Sequence, residues 1–190
     1  MTAAPVRCES ASQVIAATKT WLEKVVIGLR LCPFAAEVHL HDRIRYFVSE
    51  QSSSDGLLED LARELHALLA ADPLNCETTL LIHPAVLTDF AQYNEFLNEG
   101  DALLTSLGLE GELQIASFHP AYQFAGTDVQ DIENYTNRSP YPMLHLLREA
   151  SITRALAGFP DIDRVGAENI QTMRRLGPEG WRRLWTEMSS

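Results

Sequence analysis

Glu112 to Glu149 reads ELQIASFHPAYQFAGTDVQDIENYTNRSPYPMLHLLRE, and the way this stretch divides decides the fold. Glu112 to His119 has the apolar content of a strand, while Ser139 followed by Pro140 has the cap and first-position proline of a helix running to about Ala157. The chain between them is longer than the about 12–15 residues a compact domain leaves irregular, and it is too aromatic to float free. It is therefore read as a site. Thr127 with Gln130 three residues on forms a capping box, which predicts a short helix from Asp128 to about Asn134 and splits the connection into two loops.

Upstream, Val14, Ile15, Thr18, Trp21, Leu22, Val25, Val26 and Leu29 recur at three- and four-residue steps, predicting an amphipathic helix from Ala11 to Leu29 capped by Ser10 or Ser12. Arg43 to Glu50 and Glu77 to His83 read as strands, the second apolar enough to be buried on both faces. A leucine stripe from Asp55 to Ala71 predicts a helix between them. A further helix, capped by Thr88 or Asp89 and stopped at Gly108, leads to the strand at Glu112. The alternation implies an α/β fold, a small, mainly parallel sheet of at least three strands with a βαβαβ core, flanked by helices. After the helix from Ser139, stretches from Asp161 to Leu176 and around Trp181 and Trp185, parted by Gly177-Pro178, make a helical C-terminal third. At 190 residues the chain is read as one domain.

The net charge is −11, from 15 Lys and Arg against 26 Asp and Glu, which argues against nucleic acid and against an anionic membrane surface as partners. The N-terminus lacks a signal-peptide pattern and no run is long enough to span a bilayer, so a cytoplasmic location is expected. Cys8, Cys32 and Cys76 are odd in number and widely spaced, so all are expected to be thiols. The sequence assigns no oligomeric state.

In an open parallel sheet, ligands bind beyond the carboxyl ends of the strands, here Ser49-Glu50, His83-Pro84 and His119-Pro120. If the second and third strands are neighbours, His83 and His119 can share a ligand, and Glu50 completes the two-histidine, one-carboxylate set of non-haem iron and some zinc sites. A divalent transition metal ion is accordingly the candidate cofactor. The plain alternative is that each proline ends its strand and each histidine is a satisfied core residue.

Cys32 precedes Pro33, which can open a short helix with Cys32 as its cap and so depress the thiol pKa; a buried structural cysteine is the alternative. In the connection, Asn134, Asn137, Arg138, Ser139 and Tyr141 supply hydrogen-bonding groups of both polarities, with His145 one turn further on. Arg138 beside a helix start suggests an anion site, against a loop merely pinned to the core.

Leu31-Cys32-Pro33-Phe34-Ala35, Ser117-Phe118-His119-Pro120 with Tyr122-Gln123-Phe124-Ala125-Gly126, and Glu133 to Pro142 together resemble the small bacterial proteins grouped as domain of unknown function 1415, over about Trp21 to Trp185. The resemblance implies a single-domain cytoplasmic protein and carries over no activity, cofactor or catalytic residue.

Three functions are open on these grounds. The first is an enzyme acting on a small polar or anionic metabolite at the strand ends, with His83, His119 and Glu50 as ligands or acid–base groups and Arg138 orienting the substrate. The second is a thiol enzyme or redox protein centred on Cys32, with His119 or His145 as base. The third is a non-catalytic module binding a small molecule or a partner.

Overall fold

The computed structural model describes residues 9–156 and 162–188. The elements are α1 (Ala11–Trp21), continued by a π-helical turn (Leu22–Ile27), α2 (Ala35–Leu40), β1 (Ile44–Val48), α3 (Ser54–Ala70) and β2 (Thr78–Ile82). They continue with α4 (Phe90–Ser106), β3 (Leu113–Phe118), a 3-10 turn (Ile132–Asn137), β4 (Met143–Arg148), α5 (Glu149–Leu156) and α6 (Ile162–Met188). The expected helix end at Ala157 and helix start at Asp161 lie outside the described residues.

The caps behave as their side chains dictate. Ser10 and Gln13 form a capping box on α1, Ser53 accepts from the Gly56 N–H to open α3, and Asp89 accepts from the Gln92 N–H to open α4. α6 is two helices broken at Gly177, whose φ of 64° is open to glycine and which Pro178 follows, as the dipeptide predicts.

The largest departure lies in the stretch from Ser139. Instead of one helix, residues 143–148 form β4 and only Glu149 onward is helical. An apolar run as short as MLHLLR fits a buried strand as well as a helix, and Pro140 and Pro142 withhold two of the N–H groups that a helix start would orient. The sheet order is β1-β2-β4-β3. β1 and β2 are parallel, and β4 is inserted antiparallel between β2 and β3. The sheet is therefore mixed, not mainly parallel, and the second and third strands are not neighbours. Arg148 holds β4 in place by donating to the carbonyls of Leu68 and Ala71 at the end of α3 and of Cys76 just ahead of β2.

Each face of the sheet carries its own core. On one, α3 and α4 pack Leu57, Leu61, Tyr93 and Phe96 against Leu81, Leu144 and Leu146. On the other, α1, the π-turn and α6 pack Trp21, Val25, Met173 and Trp181 against Leu80, Ile82 and Met143. β2 is buried along its whole length, as its apolar run predicts. Strand alternation sorts the histidines: His83 follows Leu81, and His119 follows Ile115, onto the α4 face, whereas His145 follows Met143 onto the α1 face.

Candidate functional site

The carboxyl ends of β2 and β3 and the amino end of β4 meet at one edge, and the connection from His119 to Pro142 closes over them. The His83 N–H donates to the Pro142 carbonyl and the His119 N–H to that of Asn137. Both imidazoles are buried around one tyrosine that the sequence reading did not single out. Tyr93 stacks on His83 at 5.7 Å between centroids and lies 5.0 Å from His119. Its hydroxyl donates to the Met143 carbonyl at 2.8 Å and accepts from the Phe118 N–H at 3.1 Å, joining β4 to β3, and burial pushes its pKa up. Only its place on the inward face of α4 could have pointed to it.

The tautomers follow from the partners. His119 Nδ1 accepts from the Ala121 N–H at 3.0 Å, so Nε2 carries the hydrogen and donates to the Leu87 carbonyl at 3.2 Å. Both its nitrogens are used. His83 donates from Nδ1 to the Val86 carbonyl at 2.8 Å, which leaves a lone pair on Nε2, buried and without a partner among the described residues. Desolvation, the first cause, pulls His83 down to about 4, and His119 is lowered for the same reason.

These donors do not fit the expected metal. His119 has no lone pair to offer, β4 stands between the two histidine strands, and Glu50 is exposed, two residues past the end of edge strand β1. Its neighbour Ser49 is the residue turned inward, donating to Asp60 at 2.7 Å. Among the described residues no group of three or more His, Cys, Asp or Glu side chains is placed to hold a metal ion.

The polar residues of the connection are likewise committed to the chain. Asn134, buried, accepts from the Phe124 N–H and the Thr127 hydroxyl and donates to the Asp128 carbonyl. Thr127 thus clasps Asn134 instead of capping a helix at Asp128, and the helical turn forms four residues later, at Ile132–Asn137. Asn137 donates to the Ser117 carbonyl, and Ser139 donates to that of Tyr141. The Tyr141 hydroxyl donates to Glu9 at 2.6 Å. Arg138 lies 3.9 Å over the Tyr135 ring and donates to the carbonyls of Val129 at 2.7 Å and Tyr122 at 3.3 Å. This is a cap clasped by its own side chains, with its arginine turned inward rather than toward an anion.

The opposite face is different. An apolar cavity of about 50 Å³ is lined by Trp21, Leu22, Leu80 and Phe118, with Cys32, Thr78 and His145 as its polar groups. The sequence leaves the base for Cys32 open between His119 and His145, and it is His145 that shares a cavity wall with Cys32. The Thr78 hydroxyl donates to the Leu146 carbonyl at 2.5 Å, so it accepts from His145 Nε2–H at 2.8 Å. His145 Nδ1 then bears the lone pair, with no hydrogen-bond partner among the described residues. Desolvation holds this imidazole neutral, its pKa down at about 4. The Cys32 thiol is raised by burial, an effect partly offset by the N–H groups of Phe34 and Ala35. Cys32 is not a helix cap: α2 begins at Ala35, and the Ala35 N–H closes a turn on the Cys32 carbonyl at 3.4 Å.

The chain reaches Cys32 through the π-turn, closed by N–H groups donating five residues back, Gly28 to Glu23 at 3.0 Å and Leu31 to Val26 at 2.8 Å. Such widened turns recur at functional sites, and this one supplies Leu22 and Val26 to the cavity wall. It also demands a glycine, because a Cβ on Gly28 would stand 2.3 Å from the Lys24 carbonyl oxygen. On its outer side Cys32 borders a cleft of about 990 Å³ between residues 27–36 and α6. Cys32 is thus the point where cavity and cleft meet.

No helix among the described residues is long and apolar enough to cross a membrane. No curated protein and no solved structure matches the chain. The family model described as protein of unknown function (DUF1415) matches residues 13–183, most of the sequence, and the chain belongs to that family.

Proposed function

We propose that the protein is a thiol enzyme in which Cys32 is the nucleophile and His145 its base, acting on a small molecule seated between the cavity and the cleft. The observation that carries this reading is the shared cavity: Cys32 and His145 line it together, and His145 keeps an unpartnered Nδ1. A volume of about 50 Å³ holds only a few water-sized groups at ~10–15 Å³ each, which suits the small apolar tip of a substrate whose remainder stays in the cleft.

The step is a nucleophilic substitution at an acyl carbon. Cys32 Sγ attacks the carbonyl carbon and its proton passes to His145 Nδ1; the bond to the leaving group breaks, and that group departs with the proton from Nδ1. Water then cleaves the thioester, one of its protons returning to the sulfur. Burial favours the neutral thiol and the neutral imidazole at rest, so proton transfer accompanies attack rather than preceding it. The redox form of the thiol reading has less support, because Cys76 packs in the core on the other face and position 35 is alanine, leaving Cys32 without a resolving thiol among the described residues.

A second reading keeps the chemistry at the strand ends and rests on the buried lone pair of His83 Nε2. The two are separated by incubating the protein with a panel of activated acyl esters and locating adducts by intact-protein and peptide mass spectrometry. An acyl adduct on Cys32 is expected, absent in Cys32→Ser and formed about 10²-fold or more slowly in His145→Gln. Turnover that survives Cys32→Ser and disappears in His83→Asn would move the chemistry to the strand ends and refute the thiol enzyme.

A further inference from the structure

We propose that the cleft beside Cys32 binds small oxyanions, carboxylates or phosphates, through Arg30 and Arg175, so that the substrate presented to the thiol is anionic; this last clause rests on the thiol reading, the binding site itself does not.

The cleft is about 990 Å³ in volume and runs between the end of the π-turn and α6. Its charged lining consists of Arg30, Arg175 and Glu168. Neither guanidinium has a carboxylate partner among the described residues: Arg175 donates only to the Thr172 hydroxyl at 3.1 Å, and Arg30 has no side-chain hydrogen bond. Glu168 has an interaction of its own. Among the described residues Arg43, Arg45, Arg63, Arg154 and Arg174 are paired with carboxylates, and Arg138 and Arg148 are spent on backbone carbonyls, whereas Arg30 and Arg175 are neither. Two left open on one cleft are donors free for a ligand, and a guanidinium fork matches a carboxylate or phosphate edge.

The cleft is also held in shape. Asn169 of α6 donates to the Leu31 carbonyl at 2.8 Å, fixing the helix against the loop that carries Arg30 and Cys32. Arg30 itself sits at a φ of 57°, where glycine is the easy choice, so an arginine is kept there against a local backbone preference.

Alkylation of Cys32 by two reagents of nearly equal size, neutral iodoacetamide and anionic iodoacetate, tests the site. The overall charge of −11 disfavours the anion, so the global field and the local arginines predict opposite signs. The ratio of iodoacetate to iodoacetamide rates at Cys32 is expected to exceed that of free cysteine. It should fall severalfold in Arg30→Gln/Arg175→Gln while the iodoacetamide rate stays within twofold. Inorganic phosphate should protect against iodoacetate if the cleft takes phosphates, and acetate alone should do so if it is confined to carboxylates. A ratio no higher than that of free cysteine, or one unmoved by the double substitution, overturns the proposal.

Should Cys32 react with neither reagent, the readout is thermal stability. Phosphate should raise the Tm of the wild type above potassium chloride of equal ionic strength, and the increment should vanish in the double variant; equal shifts in both proteins refute the site. A rate ratio that behaves as expected while His145→Gln leaves both rates unchanged would keep the anion cleft and discard the thiol–imidazole mechanism.

Discussion

The two ends of the histidine story contrast sharply. At the strand ends, His119, Asn134, Asn137, Arg138 and Ser139 each hydrogen-bond to the chain itself, and only His83 Nε2 is left over. On the other face, among the described residues, Cys32 meets only the backbone N–H groups of Phe34 and Ala35, His145 has one free nitrogen, and Arg30 and Arg175 have no carboxylate. A site must keep donors and acceptors in reserve for its ligand, because every group already satisfied internally costs a hydrogen bond to redirect. A dense cluster of polar residues in sequence therefore marks equally well a loop that must clasp itself, and the sparser cavity is the better functional candidate.

The pH dependence of stability carries the largest expected effect on this contrast. His83 is buried neutral, so between about pH 6.5 and 4 the unfolded chain binds a proton that the folded chain refuses. The neutral-state preference is fully present above pH 6.5 and is lost as the pH falls through 4, removing about 3 kcal/mol. His145 adds a comparable loss over the same window, so the His83 share is the part of the pH dependence of urea unfolding that disappears in His83→Asn, and imidazole NMR should show His83 and His145 both neutral down to about pH 4. A His83 that titrates near 6.5 would mean its Nε2 reaches water and would make the strand ends a more open site than described.

Tyr93→Phe comes next. It removes the hydroxyl that serves both the Met143 carbonyl and the Phe118 N–H, at a cost of about 1–3 kcal/mol in chemical denaturation, while the rate of Cys32 alkylation stays within about twofold. A large change in thiol reactivity would join the two faces into one functional unit and end the contrast. Glu50→Ala should have the smallest effect, within about 0.5 kcal/mol in stability and without influence on bound metal, since the side chain is exposed and bonds to none of the described residues. A metal lost on this substitution would restore the strand-end centre.

Much of the architecture is legible in the residues. The capping box at Ser10, the caps at Ser53 and Asp89, the break at Gly177 and the fully buried β2 follow from local chemistry that needs no partner to be recognised. β4 is not legible in the same way, because so short a run, with four apolar residues in six, satisfies either period and the choice was made by a slot between β2 and β3 whose edges needed pairing. That one choice also displaced the candidate site. As a helix residue His145 had no defined facing; as a strand residue two places after Met143 it must face α1, and there it meets Cys32, more than a hundred residues earlier in the chain.

The sequence by itself determined the α/β class, the strands β1, β2 and β3 with the helices between them, and each of the chemically able side chains, because propensity, capping and burial act over a few residues at a time. Only the tertiary structure decided which of those side chains remain free to act. That depends on which carbonyl or N–H the fold brings within about 3 Å of each group, and such pairings, Asn134 with Phe124, His119 with Leu87 and Thr78 with His145, are set by long-range packing that no local pattern encodes.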